Sequence, residues 1–283
     1  MKGLTPYTIN VSGQLLDLSE PQVMGILNVT PDSFYEGSRK QTESDIRRRA
    51  MQIVAEGGTM IDIGACSTRP EASEVSPQEE MERLRMGMGI VREVAPHMPV
   101  SVDTFRADVA RMAVEELGAD IVNDISGGTL DNQMFATVAR LGVPYVLTHM
   151  KGTPQTMQQC AHYDDLMKEV LLFFAERVQM LRDLGQKDII LDPGYGFAKT
   201  LEHNYSLLAN QEALKVFNLP LLVGVSRKSM IYKLLDSTPQ DALNGTTALN
   251  AMALERGANI LRVHDVKEAV EVVALVKATL GGK

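Results

Sequence analysis

Eight short apolar runs recur along the chain, and each one ends on a polar, charged or small residue. The runs cover residues 23–29, 60–63, 99–102, 121–122, 145–147, 189–191, 221–225 and 260–263. They lack the alternation of half-exposed strands, as is typical of parallel strands that are covered on both faces. Helix-like segments separate them, which indicates repeated β–α units. The repetition predicts the α/β class and a TIM (β/α)8 barrel rather than an open, doubly wound sheet.

Helical periodicity predicts eight helices between and after these runs. They cover residues 44–56, 77–94, 106–117, 132–141, 163–184, 201–216, 240–255 and 266–280. Ser44 and Ser76 are the expected N-caps of the first two helices, and Pro77 suits a first helical position. Glycines such as Gly58 and Gly118 stand where a left-handed C-cap would turn a helix into the next strand.

A short hairpin is predicted before the first run. Residues 7–11 and 14–18 flank Ser12-Gly13, and we expect this hairpin to cover the bottom of the barrel. No linker, charge block or low-complexity stretch divides the rest of the chain. We therefore expect one barrel domain over residues 1–283, with residues 1–20 as an N-terminal hairpin extension.

Size and composition agree with this fold and limit the function classes. The 283 residues suit one barrel of about 250 residues or two domains of about 100–200 residues each. A net charge of −8 disfavours sequence-independent binding to nucleic acid. No run approaches the roughly 20 apolar residues of a membrane span, and no signal peptide is recognisable, so a cytoplasmic protein is expected. The two cysteines lack the CxxC spacing of a structural metal site.

Polar residues at the ends of the runs are expected to meet, because a parallel barrel places all strand C-termini at one face. Strands one, two and eight adjoin there when the barrel closes. Their ends carry Asn28, Thr68, Arg69, Arg262 and His264. Two guanidiniums, an imidazole and an amide favour a phosphate or pyrophosphate site. The alternative is that the two arginines only form salt bridges with barrel acids such as Asp62.

A second polar set follows strands three, four, six and seven. It comprises Asp103, Asn123, Asp192 and Lys228. The carboxylates can accept hydrogen bonds from an N–H/NH2 edge, and the amide and the ammonium complete a set that suits a polar heterocycle such as a pterin or guanine. The alternative assigns these side chains to helix caps and interior salt bridges. The residue types alone do not decide between the two.

Long irregular segments are predicted on the same face, where lids are common. They cover residues 31–42, 66–76 and 150–162. Cys66 lies in the second segment, but no obvious base accompanies it, so a catalytic thiol is not expected.

Histidines and glycines at the strand ends give weaker signals. His149 and His162 are irregularly spaced and are not expected to bind a metal. The glycine loops at residues 126–128 and 194–196 let the backbone approach a ligand, although either can simply be a turn.

The two polar sets at the strand ends, together with His149, lie in eight ordered segments. These segments resemble the signature segments of the dihydropteroate synthases, enzymes of the folate pathway. The segments include residues 25–34, 62–70, 101–104, 122–128, 149–158, 192–199, 226–229 and 262–266. Among them are the strings GILNVTPDSF, STRP, SVDT, SRKS and RVHDV. The similarity extends from about residue 23 to the C-terminus, and each segment lies at a predicted strand end.

This resemblance implies a transferase that condenses 6-hydroxymethyl-7,8-dihydropterin pyrophosphate with p-aminobenzoate, assisted by Mg2+, in a homodimer. The implied pterin contacts are Asp103, Asn123, Met150, Asp192, Phe197 and Lys228. The implied pyrophosphate contacts are Asn28, Arg69, Arg262 and His264, with Asn28 also at the metal. The implied p-aminobenzoate contacts are Phe34, Thr68, Pro70, Phe197 and Ser229. The residues implied to be catalytic are Asp103, Lys228, Arg262 and His264.

Three positions depart from the family pattern. Ala65-Cys66 stands where Gly-Glu is common, Glu71 where Gly is usual, and Val225 where Thr is usual. The first two affect the expected closure of the second long loop, and none of the three is a residue with an implied chemical role.

Two other functions are compatible with a pterin-binding barrel. Pterin-dependent methyltransferases would share the ring-binding carboxylates but would not need arginines around a pyrophosphate. A non-catalytic pterin-binding barrel would be expected to lack Phe34, Arg69 or the pair Arg262 and His264. All four residues are present, so the synthase is the favoured function.

Overall fold

The computed structural model describes residues 7–29, 36–66 and 75–279, and its strands account for most of the predicted apolar runs. The strands are β1 (Thr8–Val11), β2 (Gln14–Asp17), β3 (Gln22–Asn28), β4 (Met60–Gly64), β5 (Val100–Asp103), β6 (Ile121–Asp124), β7 (Tyr145–Thr148), β8 (Ile189–Asp192), β9 (Leu222–Val223) and β10 (Ile260–Val263). The helices are α1 (Glu36–Ala55), α2 (Pro77–Val94), α3 (Ala107–Glu115), α4 (Met134–Leu141), α5 (Leu166–Asp183), α6 (Leu201–Ala209), α7 (Ser229–Tyr232), α8 (Leu243–Glu255) and α9 (Val266–Thr279), with a 3-10 helix at Gln211–Phe217.

Eight parallel strands form a nearly closed barrel, which confirms the predicted fold class. Their order is β8-β7-β6-β5-β4-β3-β10-β9. The last gap, between β8 and β9, is spanned by a single parallel bridge from Leu191 to Leu221, where the Leu191 amide also donates to Pro220 O at 2.9 Å. All eight strand C-termini therefore face one mouth.

The N-terminal hairpin, β1 and β2, closes the opposite end of the barrel, as predicted. Ile9, Val11 and Leu18 are buried in a cluster with one residue from each of seven barrel strands. Those seven are Met24, Met60, Ile121, Val146, Ile190, Leu222 and Ile260. The hairpin is also bonded to the barrel, because Asn259 Nδ2 donates to Leu18 O at 3.0 Å. This end of the barrel is thus filled by apolar side chains, and the polar residues lie at the other end.

Helix α1 differs from its prediction at the N-terminus. It begins at Glu36 and not at Ser44, so Ser44 is an interior residue of the helix and the predicted N-cap is wrong. The predicted irregular segment 31–42 is wrong for residues 36–42 for the same reason. Residues 36–43 carry no apolar residue, so a prediction based on apolar periodicity had nothing to detect there.

Two adjacent glycines end α1, and each is needed for a different reason. Gly57 has the left-handed φ of +85°, so the C-cap is Gly57 rather than the predicted Gly58. At Gly58 a Cβ atom would lie 2.6 Å from Ile53 Cγ2. Gly58 is therefore required by the close packing of the helix on the strand that follows.

The remaining elements show three further differences from the predictions, two in helices and one in a strand, and helix α2 matches closely. The predicted helix 201–216 is α6 followed by the 3-10 helix, and the short helix α7 was missed. The predicted strand 221–225 is a regular strand only at Leu222–Val223, with one isolated bridge at Leu221. Helix α2 spans the predicted residues, and its N-cap Ser76 accepts from the Glu79 amide at 3.2 Å. Within the described residues, no helix is long and apolar enough to cross a membrane.

Candidate active site

Arg262 lies at the centre of the strand-end mouth and connects two carboxylates. Its Nε donates to Asp62 Oδ2 at 2.6 Å, and its Nη2 donates to Asp103 Oδ2 at 2.7 Å. The third nitrogen, Nη1, makes no hydrogen bond within the described part of the chain. The salt bridge that the sequence offered as an alternative to anion binding is therefore present, and it leaves one guanidinium nitrogen for a ligand.

Asp62 is a site residue to which the sequence assigned no ligand role. It is fully buried in the middle of β4, and Asn123 Nδ2 donates to its Oδ2 at 3.2 Å. Oδ1 of Asp62 and Oδ1 of Asn123 are buried and without a hydrogen-bond partner among the described residues. A carboxylate inside an apolar strand was the available signal, because such a residue needs a partner inside the barrel.

Asp192 and Lys228 face each other across the gap between β8 and β9. The buried Asp192 accepts the Gly194 amide at 2.8 Å. Lys228 Nζ donates to Tyr195 O at 2.5 Å and lies 4.7 Å from the centre of the Phe197 ring. Together with Asp103 and Asn123, these residues form one polar wall, as predicted for the ring-binding set.

Burial shifts the pKa values of this wall toward neutrality. It raises the pKa of Asp103 to about 7, against the opposing charge of Arg262. It lowers the pKa of Lys228 to about 8, against the opposing charge of Asp192. It also raises the pKa of Asp192. Asp103 and Lys228 can therefore change protonation in the physiological range.

His264 lies beside this cluster at the end of β10. Its amide donates to Ser226 Oγ at 3.1 Å, and the hydroxyl lies 3.2 Å from His264 Nδ1. Ser226 Oγ can accept from the amide and donate its proton to Nδ1, and in that arrangement the neutral ring carries its proton on Nε2. Desolvation, and then the charge of Arg262, lower the pKa of His264 to about 4, so the imidazole is neutral near pH 7.

Arg227 joins the two loops that carry Lys228 and His264, a role that the sequence did not suggest. Its backbone is left-handed with φ +54°. Its guanidinium donates two hydrogen bonds to the carboxylate of Asp265, from Nε to Oδ2 at 2.9 Å and from Nη2 to Oδ1 at 2.8 Å. Its Nη1 donates to the carbonyls of Pro239 and Gln240. Arg227 therefore faces away from the mouth. It joins the loop after β9 to the loop after β10 and to the segment before α8.

Two arginines hold the ends of the second long loop where they are described. Arg83 Nη1 donates to Ala65 O at 2.9 Å, and Arg106 Nη2 donates to Val75 O at 2.8 Å. Arg106 also pairs with the buried Glu80 and contacts Cys66 Sγ at 3.5 Å. Burial, followed by the charge of Glu80, raises the pKa of the Cys66 thiol to about 12. The thiol is therefore protonated and poorly nucleophilic.

The other predicted site residues that the structure describes lie at or near the mouth. Asn28 is exposed at the end of β3, and Ser229 begins α7. Met150 is buried in a small cluster that includes the half-buried Phe197. The predicted site residues Phe34, Thr68, Arg69 and Pro70 lie outside the described residues.

The glycine loop after β6 is shaped by contacts within the protein. The Asp124 carboxylate accepts from the Tyr145 hydroxyl at 2.6 Å and from the amides of Ser126 and Gly128 at 2.7 and 2.8 Å. A Cβ atom at Gly128 would lie 2.3 Å from the Phe135 ring. This loop is a tightly packed turn, the simpler of the two alternatives.

Comparison with known proteins relates the chain to a single family. The family model described as pterin binding enzyme matches residues 24–264. The dihydropteroate synthase of Escherichia coli (strain K12) is 46% identical over 275 residues, which are 96% of this chain and 96% of that protein.

Solved structures give the same result. A dihydropteroate synthase of Yersinia pestis in a sulfonamide drug complex has a TM-score of 0.88 at 43% identity, covering 97% of this chain and 99% of that one. The Xanthomonas albilineans dihydropteroate synthase with 4-aminobenzoic acid has a TM-score of 0.89 at 36% identity, covering 98% and 99%.

Proposed function

The chain belongs to the pterin-binding enzymes and, among them, to the dihydropteroate synthases, and from this premise we propose how its residues perform the reaction. The substrates are 6-hydroxymethyl-7,8-dihydropterin pyrophosphate and p-aminobenzoate, and the products are 7,8-dihydropteroate and pyrophosphate. At the barrel mouth, the polar wall binds the pterin ring, and the neighbouring cluster of Arg262 and His264 binds the pyrophosphate.

Two buried oxygens without partners on neighbouring side chains carry this proposal. Oδ1 of Asp62 and Oδ1 of Asn123 have no donor among the described residues, and the two side chains are joined by the bond from Asn123 Nδ2 to Asp62 Oδ2. A buried acceptor left unpaired costs about 1–3 kcal/mol. The N–H edges of a pterin supply the donors that such acceptors lack, and the carboxylates of Asp103 and Asp192 offer further acceptors along the same wall. Lys228 supplies the ammonium for a ring carbonyl or nitrogen.

The pyrophosphate is bound by Arg262 and His264 in this proposal. Arg262 contributes Nη1 while Asp62 and Asp103 hold its other two nitrogens. His264 contributes its Nε2 proton, because Ser226 occupies the Nδ1 side of the ring. Arg69 remains a predicted third contact, and Asn28 a fourth. Donors fixed in advance by the protein stabilise the charge of the departing group without rearrangement.

The reaction proceeds by departure of pyrophosphate and then attack of the amine. The bond between the 6-methylene carbon and its oxygen breaks, and the electron pair leaves with the pyrophosphate. The carboxylates of Asp62 and Asp103 stabilise the positive charge that remains on the pterin and its methylene. The p-aminobenzoate nitrogen then forms the new C–N bond, and its proton passes to the released pyrophosphate or to water. Phe34, Thr68, Pro70, Phe197 and Ser229 are the predicted contacts of p-aminobenzoate.

Asn28 is the proposed protein ligand of Mg2+. No group of three or more His, Cys, Asp or Glu side chains that could hold a metal occurs in the described ranges. Mg2+ typically keeps several waters and binds through one or two protein oxygens together with substrate phosphates. Asn28 is exposed, and a Cβ atom added to Gly64 would lie 3.7 Å from Asn28 Oδ1 and 3.5 Å from Asp103 Cβ. Asn28 therefore fits that pattern beside the anion cluster. The ion would neutralise charge on the leaving pyrophosphate.

The test of the function is release of pyrophosphate by the purified protein. Release is expected to require dihydropterin pyrophosphate, p-aminobenzoate and Mg2+ together, with dihydropteroate formed in equal amount. EDTA is expected to lower the rate, and added Mg2+ to restore it, since the free substrate lacks the charge neutralisation that the ion gives. Binding of the pterin without turnover that depends on p-aminobenzoate would contradict the proposal.

The pH dependence follows from the wall of acids and amine. Asp103 is a carboxylate above about pH 7 and Lys228 an ammonium below about pH 8, so kcat/KM for the pterin substrate is expected to be bell-shaped with a maximum between these values. In Asp103→Asn the acid limb should shift or disappear while the basic limb remains. An unchanged acid limb in that variant would assign it to another group, Asp192 being the next candidate.

The same pKa values predict how stability changes with pH. The folded pKa of Asp103 lies above its unfolded value of 3.8, so its contribution is present at low pH and is lost as pH rises through about 7. The folded pKa of Lys228 lies below its unfolded value of 10.5, so its contribution increases from about pH 8 to pH 10.5. Urea unfolding of the wild type and of Asp103→Asn over this range measures the first effect.

We also propose that the protein is a homodimer and acts in the cytoplasm. Leu234, Leu235 and Met252, on or near α7 and α8, are 55%, 56% and 43% exposed, and apolar exposure of this kind is common at subunit interfaces. Both cysteines are free, as expected in a reducing compartment. Sedimentation velocity at micromolar concentration should give a species of twice the chain mass of 31.1 kDa. A single species at the mass of one chain would contradict the dimer.

A further inference from the structure

The loop between β8 and α6 is held by side chains along its whole length. We call residues 194–198 the platform. The carbonyl oxygen of each platform residue accepts a side-chain hydrogen bond: Gly194 and Phe197 from Lys199, Tyr195 from Lys228, Gly196 from Gln158, and Ala198 from the hydroxyl of Tyr163. Since no strand pairs with this backbone, these donors replace the ladder that would otherwise satisfy it.

The platform backbone also has an unusual shape. Gly194, Gly196 and Ala198 have φ values of +70°, +83° and +49°. Alanine rarely adopts the left-handed region, and its presence there costs free energy that the surrounding contacts must offset. The shape of the platform therefore depends on the donors that grip its carbonyls.

Lys199 makes the central contacts. It is 4% exposed, and its Nζ lies 2.9 Å from His149 Nδ1, 3.0 Å from Gly194 O and 3.1 Å from Phe197 O. Burial lowers the pKa of Lys199 to about 7, against the opposing charge of Asp192. In its protonated form the side chain has three protons, one for each of these acceptors. Burial also lowers the pKa of His149 well below its usual value, so the imidazole is neutral and has one nitrogen that accepts a hydrogen bond.

The platform presents Phe197 to the mouth. The ring lies 4.7 Å from the Lys228 ammonium and contacts the buried cluster of Met150, Met157 and Ala198. Asp192, by contrast, is held within β8 by its pairing with β7. Loss of a platform contact should therefore displace Phe197 more than Asp192.

We propose that Lys199 is a positioning residue of the synthase reaction, which fixes the Phe197 ring against p-aminobenzoate by holding the carbonyls of Gly194 and Phe197. The inference rests on the proposed function, which places Phe197 at the p-aminobenzoate site. Lys199 does not touch substrate in this arrangement and acts only through the platform.

The test compares Lys199→Met with the wild type in steady-state kinetics. The KM for p-aminobenzoate is expected to rise about tenfold, the order of one lost charge-assisted hydrogen bond. The affinity for the pterin is expected to fall about twofold or less, because Asp103, Asn123 and Asp192 are held at strand ends outside the platform. Equal losses for both substrates, or no change in either, would overturn the proposal.

Gln186→Met is the matched control. Gln186 is also 4% exposed, and its Nε2 donates to two backbone carbonyls, those of Val143 and Asp188, at the opposite end of the barrel. Both variants should lose stability, but only Lys199→Met should raise the KM for p-aminobenzoate. A matching rise in Gln186→Met would mean that Lys199 acts only through general stability.

A second variant and a second measurement cover the remaining cases. Tyr163→Phe removes the donor to Ala198 O, at 2.9 Å, and should raise the same KM by a smaller factor, so the proposal is tested even if Lys199→Met fails to fold. Backbone order parameters of residues 194–198, measured by NMR on the unliganded protein, should fall in both variants and not in Gln186→Met. This measurement needs no turnover, so unchanged order parameters would overturn the platform, whereas absence of dihydropteroate formation by the wild type would overturn the proposed function.

Discussion

Arg262→Ala is expected to lower the free energy of unfolding by about 3 kcal/mol near neutral pH, the lower end of the range for removing one partner of a buried ion pair. The side chains involved are 20%, 0% and 14% exposed for Arg262, Asp62 and Asp103. Without the guanidinium, the Asp62 and Asp103 carboxylates lose the cation that they share, and Asp62 keeps the bond from Asn123 Nδ2. The loss should shrink toward pH 5, because the raised pKa of Asp103 lets its carboxyl bind a proton in the folded state and so recover stability as pH falls.

The same variant should discriminate between ligands. Affinity for dihydropterin pyrophosphate is expected to fall far more than affinity for the free hydroxymethylpterin, because only the first places an anion against Arg262. The double variant Asp62→Asn with Arg262→Ala serves as the control, since it removes the uncompensated charge and should recover most of the stability without recovering pyrophosphate binding. Equal losses for the two ligands, measured by calorimetry, would make Arg262 a purely structural residue.

Asp192→Asn is expected to weaken pterin binding about 100-fold, the order expected when a hydrogen bond to a charged group is lost and a buried donor is left facing another donor. The carboxylate already accepts the Gly194 amide through Oδ1, so a carboxamide must either break that bond or turn its NH2 group toward the ring. The substitution also removes the charge that opposes the fall in the pKa of Lys228. The basic limb of the pH profile should therefore move to lower pH.

Asp120→Asn provides the comparison for this second experiment. Asp120 has the same 6% exposure as Asp192, but it lies at the opposite end of the barrel, where it accepts from Arg92 and from the Val100 amide. Its replacement should lower stability and leave pterin affinity unchanged. If fluorescence titration with a pterin gives the same affinity for Asp192→Asn as for the wild type, Asp192 does not belong to the ring site.

Much of the fold could be predicted because barrel strands leave a strong local signal. A run of β-branched and leucine residues that stops at a polar residue marks both the strand and its position at the mouth, as at Asp103 and Asn123. The start of α1 and the short β9 left no such signal. Residues 36–43 carry no apolar residue, and the run 221–225 forms a regular strand over only two residues. Their structure depends on contacts made elsewhere.

The candidate site divides in the same way. The sequence predicted the side chains that end a strand and face the mouth, whereas it gave Asp62 only a salt-bridge role and gave Lys199 and Arg227 none. Arg227 pairs with Asp265, which is 38 residues away, and Lys199 with His149, which is 50 residues away. Neither pairing follows a local spacing rule, so each becomes visible only when the chain is folded.

The seam of the barrel gives the site a mechanical property. Between β8 and β9 the backbone makes a single bridge, whereas β3 and β4 pair over five residues. The amide proton of Leu191, which is bonded across the seam to Pro220 O, should exchange with solvent faster than those of the other barrel strands, because opening there breaks few contacts. Asp192 stands on one side of this seam and Lys228 on the other. A pterin bonded to both would act as a cross-link that slows this exchange and closes the ring of strands that the backbone alone leaves almost open.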